Sequence, residues 1–146
     1  MPERIEALRG LLAAERSGVL ATLSVRRDGW PFTSVVPYAL TDDGEPILLL
    51  TDLAEHTKNV RADARASLFI QDSASRDDPQ AGARVTLLGR IEPAPESRDR
   101  YLSRHPSSKD LLEMQDFRFY VLRITEARFI SGFGDMGWID GAALVD

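Results

Sequence analysis

Three consecutive segments decide the fold class of this chain: Gly18-Val19-Leu20-Ala21-Thr22-Leu23-Ser24-Val25, Arg26-Arg27-Asp28-Gly29, and Pro31-Phe32-Thr33-Ser34-Val35-Val36-Pro37-Tyr38-Ala39-Leu40. The outer two are rich in β-branched and aromatic residues, which suit a pleated surface, and the polar segment between them has turn chemistry. They read as a hairpin. Downstream, Thr41-Asp42-Asp43-Gly44 ends the second strand and Ile47 to Thr51 opens a third, so three strands form a meander. Upstream, Ile5, Leu8, Leu11 and Leu12 recur at helical spacing between Pro2 and Arg16, and the proline sits where its missing N–H costs nothing.

Beyond Thr51 the pattern becomes mixed. Asp52 followed by Glu55 resembles a capping box, and good helix formers run to Asp63. Arg65 to Gln71 alternates with the strand period of two, Ser73 to Gly82 is a polar loop, and Ala83 to Glu92 is another strand. Pro95 to His105 reads as helix. Asp116 to Phe133 reads as one long strand, or as two joined by a kink near Thr125 to Ala127, and the Gly-rich tail from Gly134 shows no clear period. Tight turns between strands, with helices inserted among them, favour an α+β fold: a mostly antiparallel small barrel with short flanking helices. The whole chain, residues 1–146, reads as a single domain.

Composition excludes several chemistries. Cysteine is absent from the 146 residues, so disulfides, thiolate metal sites and cysteine nucleophiles are ruled out. His56 and His105 stand alone, no Gly-x-Ser-x-Gly elbow occurs, and no Gly-x-Gly-x-x-Gly follows a strand. A formal net charge of −5 argues against a general nucleic-acid binder. No opening segment resembles a signal peptide, and apolar runs such as Ile47 to Leu50 are too short to span a bilayer. A cytoplasmic protein that binds neither nucleic acid nor membrane is expected.

The segment Leu50-Thr51-Asp52-Leu53-Ala54-Glu55-His56-Thr57-Lys58-Asn59 carries the most chemistry. An imidazole (His56), a hydroxyl (Thr57), an ammonium (Lys58) and an amide (Asn59) fall in the first turns of a helix that follows a strand. Exposed N–H groups and the positive end of the helix dipole make such a place an anion site. An ordinary solvated helix start is the alternative. Trp30, ahead of Pro31, either covers a ligand or caps the barrel, and Trp138 either meets a ligand or a second subunit or simply docks the tail. His105 reads as a helix-end residue.

Five segments carry a family resemblance in register: Gly18 to Leu23, Pro31 to Ala39, Leu53 to Asn59, Arg84-Val85-Thr86-Leu87-Leu88-Gly89, and Gly132-Phe133-Gly134. Together, over about Arg16 to Trp138, the chain resembles the FMN-binding split β-barrel proteins related to pyridoxamine-phosphate oxidase, most closely their haem-utilisation branch. The resemblance implies flavin mononucleotide (FMN) as cofactor. It implies that Ser34 donates to the phosphate or ribityl chain and that Val36 faces the ring. His56, Thr57, Lys58 and Asn59 would hold the phosphate, and Arg84 and Thr86 would reach the pyrimidine edge from the second subunit. It also implies a homodimer with the flavin sites at the interface, formed by apolar surface such as alternate residues of Val85 to Ile91 and Phe117 to Ile124. The activity implied is that of a flavin-dependent oxidoreductase acting on a small-molecule substrate or electron donor. The alternative is a non-catalytic module holding flavin or haem. The chain ends Gly141-Ala142-Ala143-Leu144-Val145-Asp146, without the basic aromatic segment of a true pyridoxamine-phosphate oxidase or the added module of longer haem-utilisation proteins. Neither vitamin B6 oxidation nor haem breakdown is expected.

Overall fold

The computed structural model of the protein describes residues 2–132 and 134–145. The chain opens with helix α1 (Pro2–Ala14), whose buried Leu8, Leu11 and Leu12 are the apolar positions of the helical period. Strands β1 (Ser17–Leu23) and β2 (Pro31–Pro37) form the expected hairpin in full register, from Ser17 opposite Pro37 to Leu23 opposite Pro31. Its turn places Asp28 and Gly29 at positive φ, 49° and 87°. A short β3 (Ala39–Leu40) and β4 (Pro46–Thr51) complete the meander, and α2 (Glu55–Ala62) follows. Next come β5 (Arg65–Gln71), β6 (Arg84–Pro93), α3 (Arg98–Arg104), β7 (Phe117–Gly132), β8 (Asp135–Asp140) and α4 (Gly141–Leu144). The tail, unassigned from sequence, thus supplies one more strand and a helical turn.

All the strands belong to one sheet, ordered β2-β1-β5-β6-β7-β4-β3, with β8 also on β7 and every pair antiparallel. The long β7 makes the curl possible. Its first half pairs with β4 and its second half with β8, while β6 runs along the other side of both. Between the halves the register slips, Leu88 facing Glu126 but Gly89 facing Ile124, so Thr125 is an unpaired bulge at the kink read from sequence. Gly89 lies so close to this bulge that a Cβ there would be 2.1 Å from the Arg123 carbonyl oxygen. The amide of Ile124 donates instead to the buried Glu45, at 2.9 Å, whose other oxygen takes Arg123 Nη1 at 3.0 Å.

Inside the curl lies a core of Leu20, Val36, Leu48, Leu50, Leu68, Ile70, Val85, Leu87, Leu122 and Phe129, onto which α1 packs Leu8 and Leu12. The unbroken apolar run of β4 is explained by a second cluster on its other face. There Ile47 and Leu49 meet Tyr101 of α3 together with Phe119 and Val121 of β7. Two hydrogen bonds tie the layers at Tyr38: its hydroxyl donates to the Leu12 carbonyl at 2.6 Å, and its own carbonyl lies 2.6 Å from His105 Nε2. His105 is accordingly a buried structural residue.

Candidate functional site

Helix α2 is preceded by Ala54, whose backbone is extended and whose side chain makes no capping hydrogen bond to the first turn. Asp52 does not form the expected capping box, because its carboxylate is taken by Arg61 at 2.5 Å and Arg118 at 3.2 Å. The first turn brings His56 against β2, where its Nδ1 lies 3.2 Å from Ser34 Oγ. Burial pushes the His56 pKa down, so the ring is neutral at neutral pH. Its Nε2 has no hydrogen-bond partner among the described residues, leaving one nitrogen lone pair or N–H for a ligand.

The other members of the expected phosphate set part company. Lys58 is exposed and lies 3.6 Å from Glu55, one turn back on the helix. Thr57 is fully buried, and its Oγ1 finds no partner. Asn59 is buried too and fully committed: its Nδ2 donates to Thr22 Oγ1 at 3.0 Å and its Oδ1 accepts from the Val25 amide at 3.0 Å. It is a tie between α2 and the β1–β2 hairpin, not a phosphate ligand. Val36 also differs from expectation. At 4 % exposure it is part of the barrel core, since it shares the inward face of β2 with Phe32 and Ser34. The structure therefore brings Ser34 and His56 together and draws Thr57, Asn59 and Val36 inward.

The opposite, outward face of the sheet carries the second part of the site. One row of paired residues crosses six strands: Val35, Val19, Phe69, Thr86, Arg128 and Trp138. Val35 is 75 % exposed and Trp138 51 %, with Met136 and Leu88 also open on the same face. The Arg128 guanidinium lies over the Trp138 ring, 5.3 Å from its centroid. Arg84 and Thr86 share this face as the strand period requires. Arg84, however, is turned into the preceding loop, where its Nη1 donates to the carbonyls of Gln80 at 2.9 Å and Gly82 at 3.1 Å. In this arrangement it staples the loop rather than reaching toward a ligand.

The apolar surface expected over Phe117 to Ile124 is covered within the chain, Tyr120, Leu122 and Ile124 in one core and Phe119 and Val121 in the other. β8 supplies the open surface instead. Its alternation of Met136, Trp138 and Asp140 against Gly137 and Ile139 was a readable signal, but a run of six residues with glycine in it is weak. Of the Gly132-Phe133-Gly134 motif, Phe133 lies outside the described residues. Among those residues no helix is long and apolar enough to cross a membrane, and no three carboxylate or histidine side chains gather to hold a metal ion.

Set beside known proteins, residues 3–144 match the family model described as the CREG β-barrel. The chain belongs to that family. It is 34% identical over 134 residues to the non-canonical haem oxygenase HOZ, chloroplastic, of Arabidopsis thaliana, covering 88% of this chain and 40% of that one. A solved haem-binding protein from Mycobacterium smegmatis superposes with a TM-score of 0.90 at 35% identity, covering 99% of this chain and 60% of the other. The chain thus spans less than two thirds of either relative. A Clostridium acetobutylicum protein of the pyridoxinephosphate oxidase family superposes over 96% of both chains with a TM-score of 0.73 at 12% identity, a likeness of fold alone. The CREG β-barrel chain described here is accordingly α+β, a split barrel of the pyridoxamine-phosphate-oxidase type, as its sequence resemblance implied.

Proposed function

We propose that this protein binds haem, as a homodimer, between the Ser34–His56 edge of one copy and the outward sheet face of its partner. The observation that carries the reading is the identity of about a third, along nearly the whole chain, to two proteins described by haem chemistry. The residues present suit the group. A porphyrin needs a broad apolar surface, which Val35, Phe69, Leu88 and Trp138 offer, and its carboxylates need cations, which Arg128 supplies on that face. Haem iron needs a neutral imidazole with a free and accessible nitrogen, and of the two histidines His56 is the one only partly buried, His105 being buried with its Nε2 on the Tyr38 carbonyl. When bound, haem would supply iron redox chemistry, while the chain's own part is to bind it, shield it from water and fix one ligand.

The flavin reading keeps Ser34, His56 and Lys58 as phosphate donors but loses Thr57 and Asn59 to the interior, and Arg84 to its loop. That depletion sets it second. Retention on immobilised haemin, released by free haemin and not by FMN, is the expected result. No retention on haemin, together with saturable retention on immobilised FMN, would reverse the order of the two readings.

A further inference from the structure

Beside the last turn of α2 lies a mouth of about 420 Å³ walled by Val60, Ile91 and Pro93. Three polar side chains share it: Arg61 from α2, and Arg118 and Tyr120 from the start of β7. None of these residues belongs to the Ser34–His56 edge or to the outward row. Barrel mouths with apolar walls and a few convergent polar groups are common ligand sites.

The polar groups are unbalanced in a particular way. Both guanidiniums rest on the single carboxylate of Asp52, so one negative charge faces two positive ones. Asp116 lies outside the lining: its Oδ2 takes the Thr51 hydroxyl at 3.1 Å, its buried Oδ1 has no hydrogen-bond partner among the described residues, and it forms no ion pair with either arginine. Arg61 Nη2 also donates to the Tyr120 hydroxyl oxygen at 3.2 Å. The phenol therefore acts as acceptor, and its own hydrogen finds no acceptor among the described residues, on a side chain that is only 5 % exposed. Among the side chains that line the mouth, donors and positive charge are in surplus.

From this surplus we infer that the mouth binds a small monoanionic carboxylate with a compact aromatic or branched apolar body. The carboxylate would take the Tyr120 hydrogen and the free N–H groups of Arg118, and the body would lie on Val60, Ile91 and Pro93. Benzoate is the probe, with benzamide as its uncharged counterpart, each titrated into the full-length isotope-labelled protein and followed by amide chemical shifts. Benzoate should move the amides of Val60, Ala64 and Ile91 saturably, and benzamide should bind about tenfold more weakly. Tyr120→Phe should weaken benzoate by about the same factor, and Arg118→Gln, at an exposed position that leaves the core intact, should do so independently. Equal binding of the two probes, absence of a saturable shift at these amides, or unchanged affinity in a folded Arg118→Gln protein would overturn the inference.

Discussion

At the scale of single residues, the segment from His56 to Asn59 shows how much burial decides. Its four polar side chains were legible as a cluster, and the helix that carries them follows its strand as the sequence implied. Which of them face solvent was not legible, because an eight-residue helix offers little periodic pattern and packs Thr57, Asn59 and Val60 inward with equal ease. Asn59 is the clearest case. Replacing it by Ala strands the Val25 amide and the Thr22 hydroxyl, so Asn59→Ala should cost about 1–3 kcal/mol, read as a lower urea midpoint at unchanged slope. His56 gives a pH dependence of definite sign. Its folded pKa lies below the ordinary 6.5, so the unfolded chain binds the proton more readily. The contribution is complete above about pH 6.5 and is lost as pH falls through the folded value. Urea midpoints at successive pH values should therefore fall on acidification less steeply in His56→Gln than in the parent protein.

At the scale of elements, the bulge in β7 is where sequence and fold meet most closely. From sequence, Asp116 to Phe133 was open to two readings, one long strand or two joined by a kink near Thr125 to Ala127, and the structure combines them in one strand with a bulge at Thr125. The residue that holds the kink was not readable. Glu45 sits in a turn region that looks solvated, yet the structure buries it to accept the Ile124 amide freed by the bulge and to pair with Arg123. Hydrogen bonds from both partners raise no conflict for Arg123, whose guanidinium they hold firmly charged. Glu45→Ala strands the Ile124 amide while Arg123, half exposed, keeps Glu92, and it should destabilise by about 1–3 kcal/mol. Glu45→Gln, which keeps an acceptor for the amide, should cost clearly less in the same thermal or urea melt. Strand β8 escaped the sequence reading for a related reason: its pairing with β7 supplies the context that six residues cannot declare alone.

For the whole molecule, the outward sheet face is the feature that calls for a partner. Along the row from Val35 to Trp138 and beside it, Val35, Leu88, Met136 and Trp138 stand open on one face of the sheet, the kind of surface that a partner covers. The sequence resemblance implied a homodimer but located part of its surface on β7, whose apolar residues both cores absorb. Light scattering should give a mass of twice the 16.2 kDa chain at micromolar concentration. Leu88→Glu, a charge beside the row on the same face, should return the protein to a single chain while leaving its fold intact. Haem binding by the dimer is read in an absorbance titration of the purified protein with haemin. A saturable Soret band with one haem per chain is expected, altered in position by His56→Ala and weakened by Leu88→Glu. A featureless rise in absorbance with added haemin, accompanied by stoichiometric quenching of FMN fluorescence by the same protein, would contradict it.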